Sequence, residues 1–273
     1  MKKTALITGA SRGIGRSIAL QLGQAGYQVA VNGTRPDLIR EVVEAIQQMG
    51  GTAFGYCANV ADPTEVSAMV DAVVEEYGGI DVFIHNAGNL HDQTCIRMTD
   101  EQWHAVLDVH LNGAFYCINR VLPHMQNHGG DILMMTSTAG LTGSIGQANY
   151  SAAKAGILGM VWTLAAELKR MHIRVNAISP AALTDMTRPV IEHLKDKHAS
   201  RNEPLPEFWR IGEAKDIARF VVGLLAQPDD NLSGEIFGVN GSMVTMWQKP
   251  KPVFSENNIE VFFKEWVHRK GSK

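Results

Sequence analysis

Cysteine is scarce in this chain. Cys57, Cys95 and Cys117 are three among 273 residues and lie far apart. No CxxC or Cys/His ligand spacing occurs, which excludes a zinc ribbon, a zinc finger and a disulfide framework. An odd, sparse count fits a reducing compartment. The ten histidines include no HExxH pair. A long hydrophobic run is missing too. The longest candidate, Gly156 to Ala166, stops at Glu167, short of the roughly 20 residues of a membrane span. Lys2 and Lys3 imitate the start of a signal peptide, but the apolar stretch behind them is brief and meets Arg12. The expected location is therefore cytoplasmic, with no membrane partner. Charge of one sign is lacking as well. Lys and Arg number 25 against 28 Asp and Glu, a net charge of −3, which argues against a nucleic-acid partner. What is present is ample apolar material: 45% hydrophobic residues with 19% charged, enough to bury a full core and to exclude wholesale disorder.

The pattern alternates strand and helix throughout. Short apolar strands are expected at Thr4–Thr8, Tyr27–Val31, Ala53–Tyr56, Ile80–Ile84, Ile132–Thr136, Ile173–Ile178 and Glu235–Val239. Helical spacing fills the intervals, for example Leu38, Val42, Ala45, Ile46 and Met49. Thr99 with Gln102 three residues on reads as a helix start, and that helix runs to about Asn127 with a bend near Gly113. Near-continuously apolar strands joined by helices mean right-handed crossovers and a parallel sheet covered on both faces. The fold class is α/β: one doubly wound domain with a seven-stranded parallel sheet flanked by helices over residues 1–248, and a C-terminal extension over 249–273. Residues 181–210 hold no clean period.

In such a sheet, ligands bind outside the carboxyl ends of the strands, where strand order reverses. The first strand exits into Thr8-Gly9-Ala10-Ser11-Arg12-Gly13-Ile14-Gly15. Glycines let the backbone turn tightly and approach a pyrophosphate, and the following helix offers free N–H groups. The spacing is GxxxGxG rather than GxGxxG, and a merely structural turn is the competing reading. The second strand exits into Asn32-Gly33-Thr34-Arg35-Pro36, with no acid to take a ribose 2′-hydroxyl. Arg35, with Arg12, suits a 2′-phosphate, so the pattern favours NADP(H) over NAD(H). A solvated loop charge is the alternative for Arg35. Asp37, beyond Pro36, is expected to cap the next helix.

Tyr150 and Lys154 are four apart at a helix start and share a face, and Ser137 ends a strand thirteen residues earlier. A phenol with pKa about 10 is a poor acid at neutral pH. A nearby ammonium favours the phenolate and is expected to lower that value.

Together, Thr8 to Gly15, Asn59-Val60, Asn86-Ala87-Gly88, Asn112, Ser137, Tyr150, Lys154 and the segment Pro180 to Thr187 resemble the short-chain dehydrogenase/reductase family. The likeness covers about residues 4–245 and is nearest to 3-oxoacyl-(acyl carrier protein) reductases and related carbonyl reductases. It implies a Rossmann-type domain with a substrate lid at about 181–210. It further implies an oxidoreductase that moves a hydride between nicotinamide and a carbonyl or secondary alcohol. Tyr150 would exchange the proton, Lys154 would lower its pKa and hold the nicotinamide ribose, and Ser137 would bind the substrate oxygen. Asn112 would hold a water linking Lys154 to solvent. The cofactor would lie on Gly9, Ser11, Arg12, Gly13, Ile14, Gly15 and Arg35. Asn59 and Val60 would meet adenine, Asn86, Ala87 and Gly88 would pack beside the adenosine ribose, and Pro180 and Thr184 would line the nicotinamide. The resemblance also implies a homo-oligomer, a tetramer or dimer, built through the helices at about 103–127 and 149–171 and the last strand.

His85 stands where the family usually has Asn, and reads as a tolerated structural change. Ala181 replaces a usual glycine, and the extension departs from the acyl-carrier enzymes. Met186, Leu194, Leu205, Phe208 and Trp209 either line a substrate pocket or pack the lid down. Secondary metabolites, steroids and sugar ketones remain alternative substrates, and a non-catalytic NADP-binding sensor or scaffold is the alternative function.

Overall fold

A computed structural model describes residues 2–270, apart from 186, 202, 205, 207, 208 and 210. Met186, Leu205 and Phe208, read above as lid residues, lie outside the described residues. Seven strands pair in parallel: β1 (Thr4–Ile7), β2 (Gln28–Gly33), β3 (Thr52–Cys57), β4 (Val82–His85), β5 (Gly130–Met135), β6 (Ile173–Leu183) and, paired with β6, the later strand β8 (Ile236–Asn240). The short β7 (Gly212–Glu213) also pairs with β6, off the main path. The order is β3-β2-β1-β4-β5-β6-β8, closed by β9 (Met243–Trp247), which runs antiparallel to β8. Chain order therefore reverses between β1 and β4, and the carboxyl ends of those two strands mark the crevice.

Local chemistry sets the connections. Every residue of β1 and β4 is buried, as strands covered on both faces must be. Helix α1 is Gly13–Gln24, and α2 is Pro36–Gln48. Helix α3 (Pro63–Tyr77) opens on Asp62, which accepts from Thr64 and Glu65 N–H groups, and closes on left-handed Gly78. The expected capping box of Thr99 and Gln102 starts α4 (Asp100–Leu107). The expected bend near Gly113 is a π-turn over Asp108–Asn112, after which α5 (Gly113–Met125) continues. The short α6 (Thr138–Thr142) and the long α7 (Ala148–Glu167) follow β5. Residues 181–210, read as aperiodic, contain α8 (Arg188–Ala199). Helix α9 (Ala214–Leu225) packs beside α1, and α10 (Ile259–Lys270) lies in the extension.

Two apolar clusters fill the faces of the sheet. Phe83, Val121, Ile157 and Val161 belong to one, and Ile7, Leu22, Ile46 and Val221 to the other. At roughly 1.5–3 kcal/mol per large buried side chain, these layers hold the strand ends in fixed register. Among the described residues, no helix is long and apolar enough to cross a membrane.

Candidate active site

A cleft of about 790 Å³ runs along the carboxyl ends of the strands, from Gly33, Thr34 and Asn59 at one end to Tyr150, Lys154, Pro180 and Thr184 at the other. Gly9, Ser11, Arg12, Gly13 and Ile14 form its floor with Val60, Asn86, Ala87 and Gly88. The floor depends on missing side chains. A Cβ on Gly9 would lie 2.7 Å from the Ala87 Cα, and one on Gly15 would lie 2.3 Å from the Gly9 carbonyl oxygen. Asn86 explains this closeness. Its amide donates to the Thr8 and Gly9 carbonyls at 3.2 and 2.9 Å, while Thr8 Oγ1 accepts from the Asn86 and Ala87 N–H groups. The Asn86 amide nitrogen thus holds the glycine turn.

Helix α1 begins at Gly13 with no side-chain cap on its first turn among the described residues, and Gly13 and Ile14 line the cleft. A Cβ on Gly33 would stand 2.9 Å from Ser11 Oγ, so a side chain at the end of β2 would have to displace that hydroxyl. The glycine floor, the bare helix start and the absence of an acid beside Gly33 fit a dinucleotide. Arg35 lies just past Thr34 and is exposed, and Asp37 sits in the first turn of α2 rather than at its cap. Its carboxylate takes the Arg35 guanidinium.

At the other end, β5 delivers Met135, Thr136 and Ser137 against α7. Thr136 Oγ1 donates to the Lys154 carbonyl at 3.0 Å, and Lys154 Nζ donates to the Met135 carbonyl at 2.7 Å. Ser137 caps α6, its hydroxyl accepting from the Ala139 N–H, and it also hydrogen-bonds Tyr150. Asn149, fully buried, donates to the His91 and Gln102 carbonyls and accepts from the Tyr150 N–H, which fixes the first turn of α7. Ser137, Tyr150 and Lys154 therefore converge as the spacing anticipates.

The electrostatics differ from the expectation. Lys154 Nζ lies 5.6 Å from the Tyr150 ring centroid. It is only 3% exposed, and burial pulls its pKa down to about 7. The Tyr150 phenol is raised above its ordinary value, mainly by burial and slightly by Asp92, against a lowering by the Ser137 hydrogen bond. In the chain alone, desolvation outweighs the Ser137 hydrogen bond, and Lys154 is not among the groups that shift the phenol.

Asn112 is not brought to this site. Its amide donates to Asp108 Oδ1 at 2.8 Å, and it does not line the cleft. His110, two residues earlier on the π-turn, does. It is 3% exposed, its ring meets Tyr150 edge-on with centroids 5.2 Å apart, and its Nε2 lies 3.1 Å from the Asn89 N and 2.9 Å from the Asn89 O. Its Nδ1 has no hydrogen-bond partner among the described residues. Burial holds this imidazole well below its usual pKa, and so neutral. His85 is equally buried, with its Nδ1 3.2 Å from Thr8 Oγ1 and its pKa down to about 3 through desolvation. Its position behind the glycine turn agrees with a structural role. No cluster of three or more His, Cys, Asp or Glu that could hold a metal occurs among the described residues.

A doubly wound sheet with a glycine-floored cleft and a Ser–Tyr–Lys group at one end defines a class of nucleotide-dependent enzymes. Residues 3–195 match the short chain dehydrogenase family. The chain is 44% identical over 247 residues to the 3-oxoacyl-(acyl-carrier-protein) reductase FabG of Staphylococcus epidermidis, covering 89% of this chain and 99% of that protein. It is 35% identical over 244 residues to the FabG of Thermotoga maritima, covering 89% and 98%. A crystal structure of a short chain dehydrogenase from Mycobacterium avium superposes with a TM-score of 0.82 at 29% identity, covering 98% of this chain and 94% of that one. The chain belongs to the short-chain dehydrogenase family. It is an oxidoreductase acting on alcohol or carbonyl groups with a nicotinamide cofactor.

Proposed function

We propose that this chain is an NADP(H)-dependent reductase of 3-oxoacyl thioesters. The observation that carries the chemistry is the convergence of Ser137 with Tyr150 and Lys154, the latter two lining one end of a cleft whose other end is a glycine floor bearing Arg12, with Arg35 exposed just past Thr34. The substrate class is supported by the similarity to the FabG proteins along nearly their whole length. The preference for NADP(H) is supported by the two arginines and by a glycine, not an acid, at the end of β2.

When bound, the nicotinamide supplies or accepts a hydride at the carbonyl carbon. The chain does the rest. Ser137 Oγ and Tyr150 Oη hold the carbonyl oxygen, and as charge develops there the Tyr150 proton passes to it. Lys154, anchored on the Met135 carbonyl, lies along the phenol ring and in its protonated form favours the phenolate that remains. A raised phenol pKa keeps the proton in place until an oxygen is there to take it, which suits the reducing direction. His110 backs the tyrosine ring and pins the Asn89 backbone beneath the same wall.

The test is turnover of a 3-oxoacyl thioester with NADPH, followed by nicotinamide absorbance, in the natural chain and in Tyr150→Phe. The natural chain should reduce the thioester faster than any simple ketone, sugar or steroid in a parallel panel. Tyr150→Phe should bind NADPH unchanged and lose about 10³-fold in kcat, close to 4 kcal/mol. Undiminished turnover in that variant would remove Tyr150 as the proton donor. A faster steroid or sugar ketone would replace the substrate class.

A further inference from the structure

Where β2 gives way to α2, Arg35 does not stand free. Its Nε donates to Asp37 Oδ1 at 3.1 Å and its Nη2 to Asp37 Oδ2 at 2.6 Å. Pro36 opens α2 between them, and Arg35 before it keeps an extended backbone, φ −118° and ψ 103°. That geometry lets two side chains only two residues apart converge. Both are mostly exposed, 65% for Arg35 and 55% for Asp37. The carboxylate occupies the side-on edge of the guanidinium, one of the edges through which a phosphate makes a bidentate contact. Arg12, on the cleft floor, makes no ion pair among the described residues.

We infer that Asp37 determines cofactor specificity as a counter-ion: it competes with a 2′-phosphate for Arg35 and narrows the margin by which this protein prefers NADP(H) to NAD(H). The inference rests on the reading that Arg35 receives the 2′-phosphate. Two arrangements are open to an arriving phosphate, and Asp37 opposes both. If the phosphate takes the edge that Asp37 holds, two charge-assisted hydrogen bonds must break first. If it takes the outer edge, it stands beside a carboxylate of like charge. NAD(H) carries a hydroxyl at that position and asks nothing of Arg35, so the penalty falls on NADP(H) alone. An exposed pair is weak and screened by salt, so it tempers the preference rather than reversing it.

The test titrates the full chain with NADPH and with NADH at low ionic strength by cofactor fluorescence. Asp37→Asn keeps the size of the side chain, and Asp37→Ala removes its hydrogen bonds as well. In both, the Kd for NADPH should fall about three- to tenfold while that for NADH stays within about twofold. The gain should shrink as salt approaches about 1 M. Arg35→Ala should weaken NADPH about tenfold or more. If Arg35→Ala leaves NADPH binding unchanged, the phosphate reading and this inference fall together. If Arg35→Ala weakens NADPH but neither Asp37 variant tightens it, only the role of Asp37 falls. A loss of NADH affinity in Asp37→Asn, beyond about fivefold, would make Asp37 a ribose acceptor and overturn the inference.

Discussion

At the β1–β2 end of the cleft the walls are backbone and glycine, whereas at the β5–α7 end they are buried titratable side chains. The first end works through what is absent. Gly9, Gly15 and Gly33 each face a neighbour that a single methyl group would strike, and Asn86 spends its amide on drawing that backbone together. The second end works through what is present and uncomfortable. Lys154 and His110 are each 3% exposed, and burial pulls both toward their neutral forms. A phosphate site tolerates exposure and asks for shape. A proton-transfer site asks for desolvated groups that the fold must hold against their preference for water. One half is therefore broken by adding atoms, and the other by removing polar groups.

The largest separation between the two ends is expected from Gly15→Ala. Its Cβ would meet the Gly9 carbonyl at 2.3 Å, so the Kd for NADPH should rise about 100-fold, near 2.7 kcal/mol. Titration of NADPH alongside circular dichroism separates lost binding from lost fold. A Kd within threefold of the natural chain would show that the floor yields.

Lys154→Met should act in the opposite sense, abolishing turnover while stabilising the fold. In the unfolded chain the amine keeps its proton to about pH 10.5, but in the folded chain only to about 7. The cost of burying the charge is therefore complete below pH 7 and shrinks as pH rises from 7 toward 10.5. The variant should gain about 2 kcal/mol at pH 6, and progressively less at pH 8 and 9, in urea unfolding. A gain that grows with pH would contradict the burial of an ammonium.

A smaller effect is expected at His110. His110→Leu keeps the bulk but loses the Asn89 contact, and kcat should fall about tenfold, or 1.4 kcal/mol, with NADPH affinity little changed. The smallest effect is expected from Asn112→Ala, whose amide donates to Asp108, with kcat staying within about twofold. Equal losses at both positions would erase the distinction between them.

Much of this architecture is legible in the chain itself. The apolar strands, the glycine turn and the four-residue step from Tyr150 to Lys154 follow from periodicity and residue chemistry. Asn112 is named by the family resemblance alone, whereas the π-turn over Asp108–Asn112 carries His110 to the Tyr150 ring and leaves the Asn112 amide on Asp108. Strand β9 escapes because Met243, Val244 and Met246 are exposed at the sheet edge, so no buried face marks it. The pairing of Arg35 with Asp37 depends on the backbone around Pro36, which a list of charges does not display. The raised Tyr150 phenol escapes as well, because spacing shows the neighbouring lysine but not the depth of burial.

The most direct measurement is the ionisation of Tyr150 itself, taken as the phenolate absorbance of the natural chain minus that of Tyr150→Phe across pH. Without cofactor, the difference should appear only above pH 10.0, the ordinary tyrosine value, because burial raises the phenol. With NADP⁺ bound, the added positive charge should move it to lower pH. A phenolate already present at neutral pH in the chain alone, or no movement on binding NADP⁺, would contradict the claim that Tyr150 is a proton donor governed by what shares its cleft.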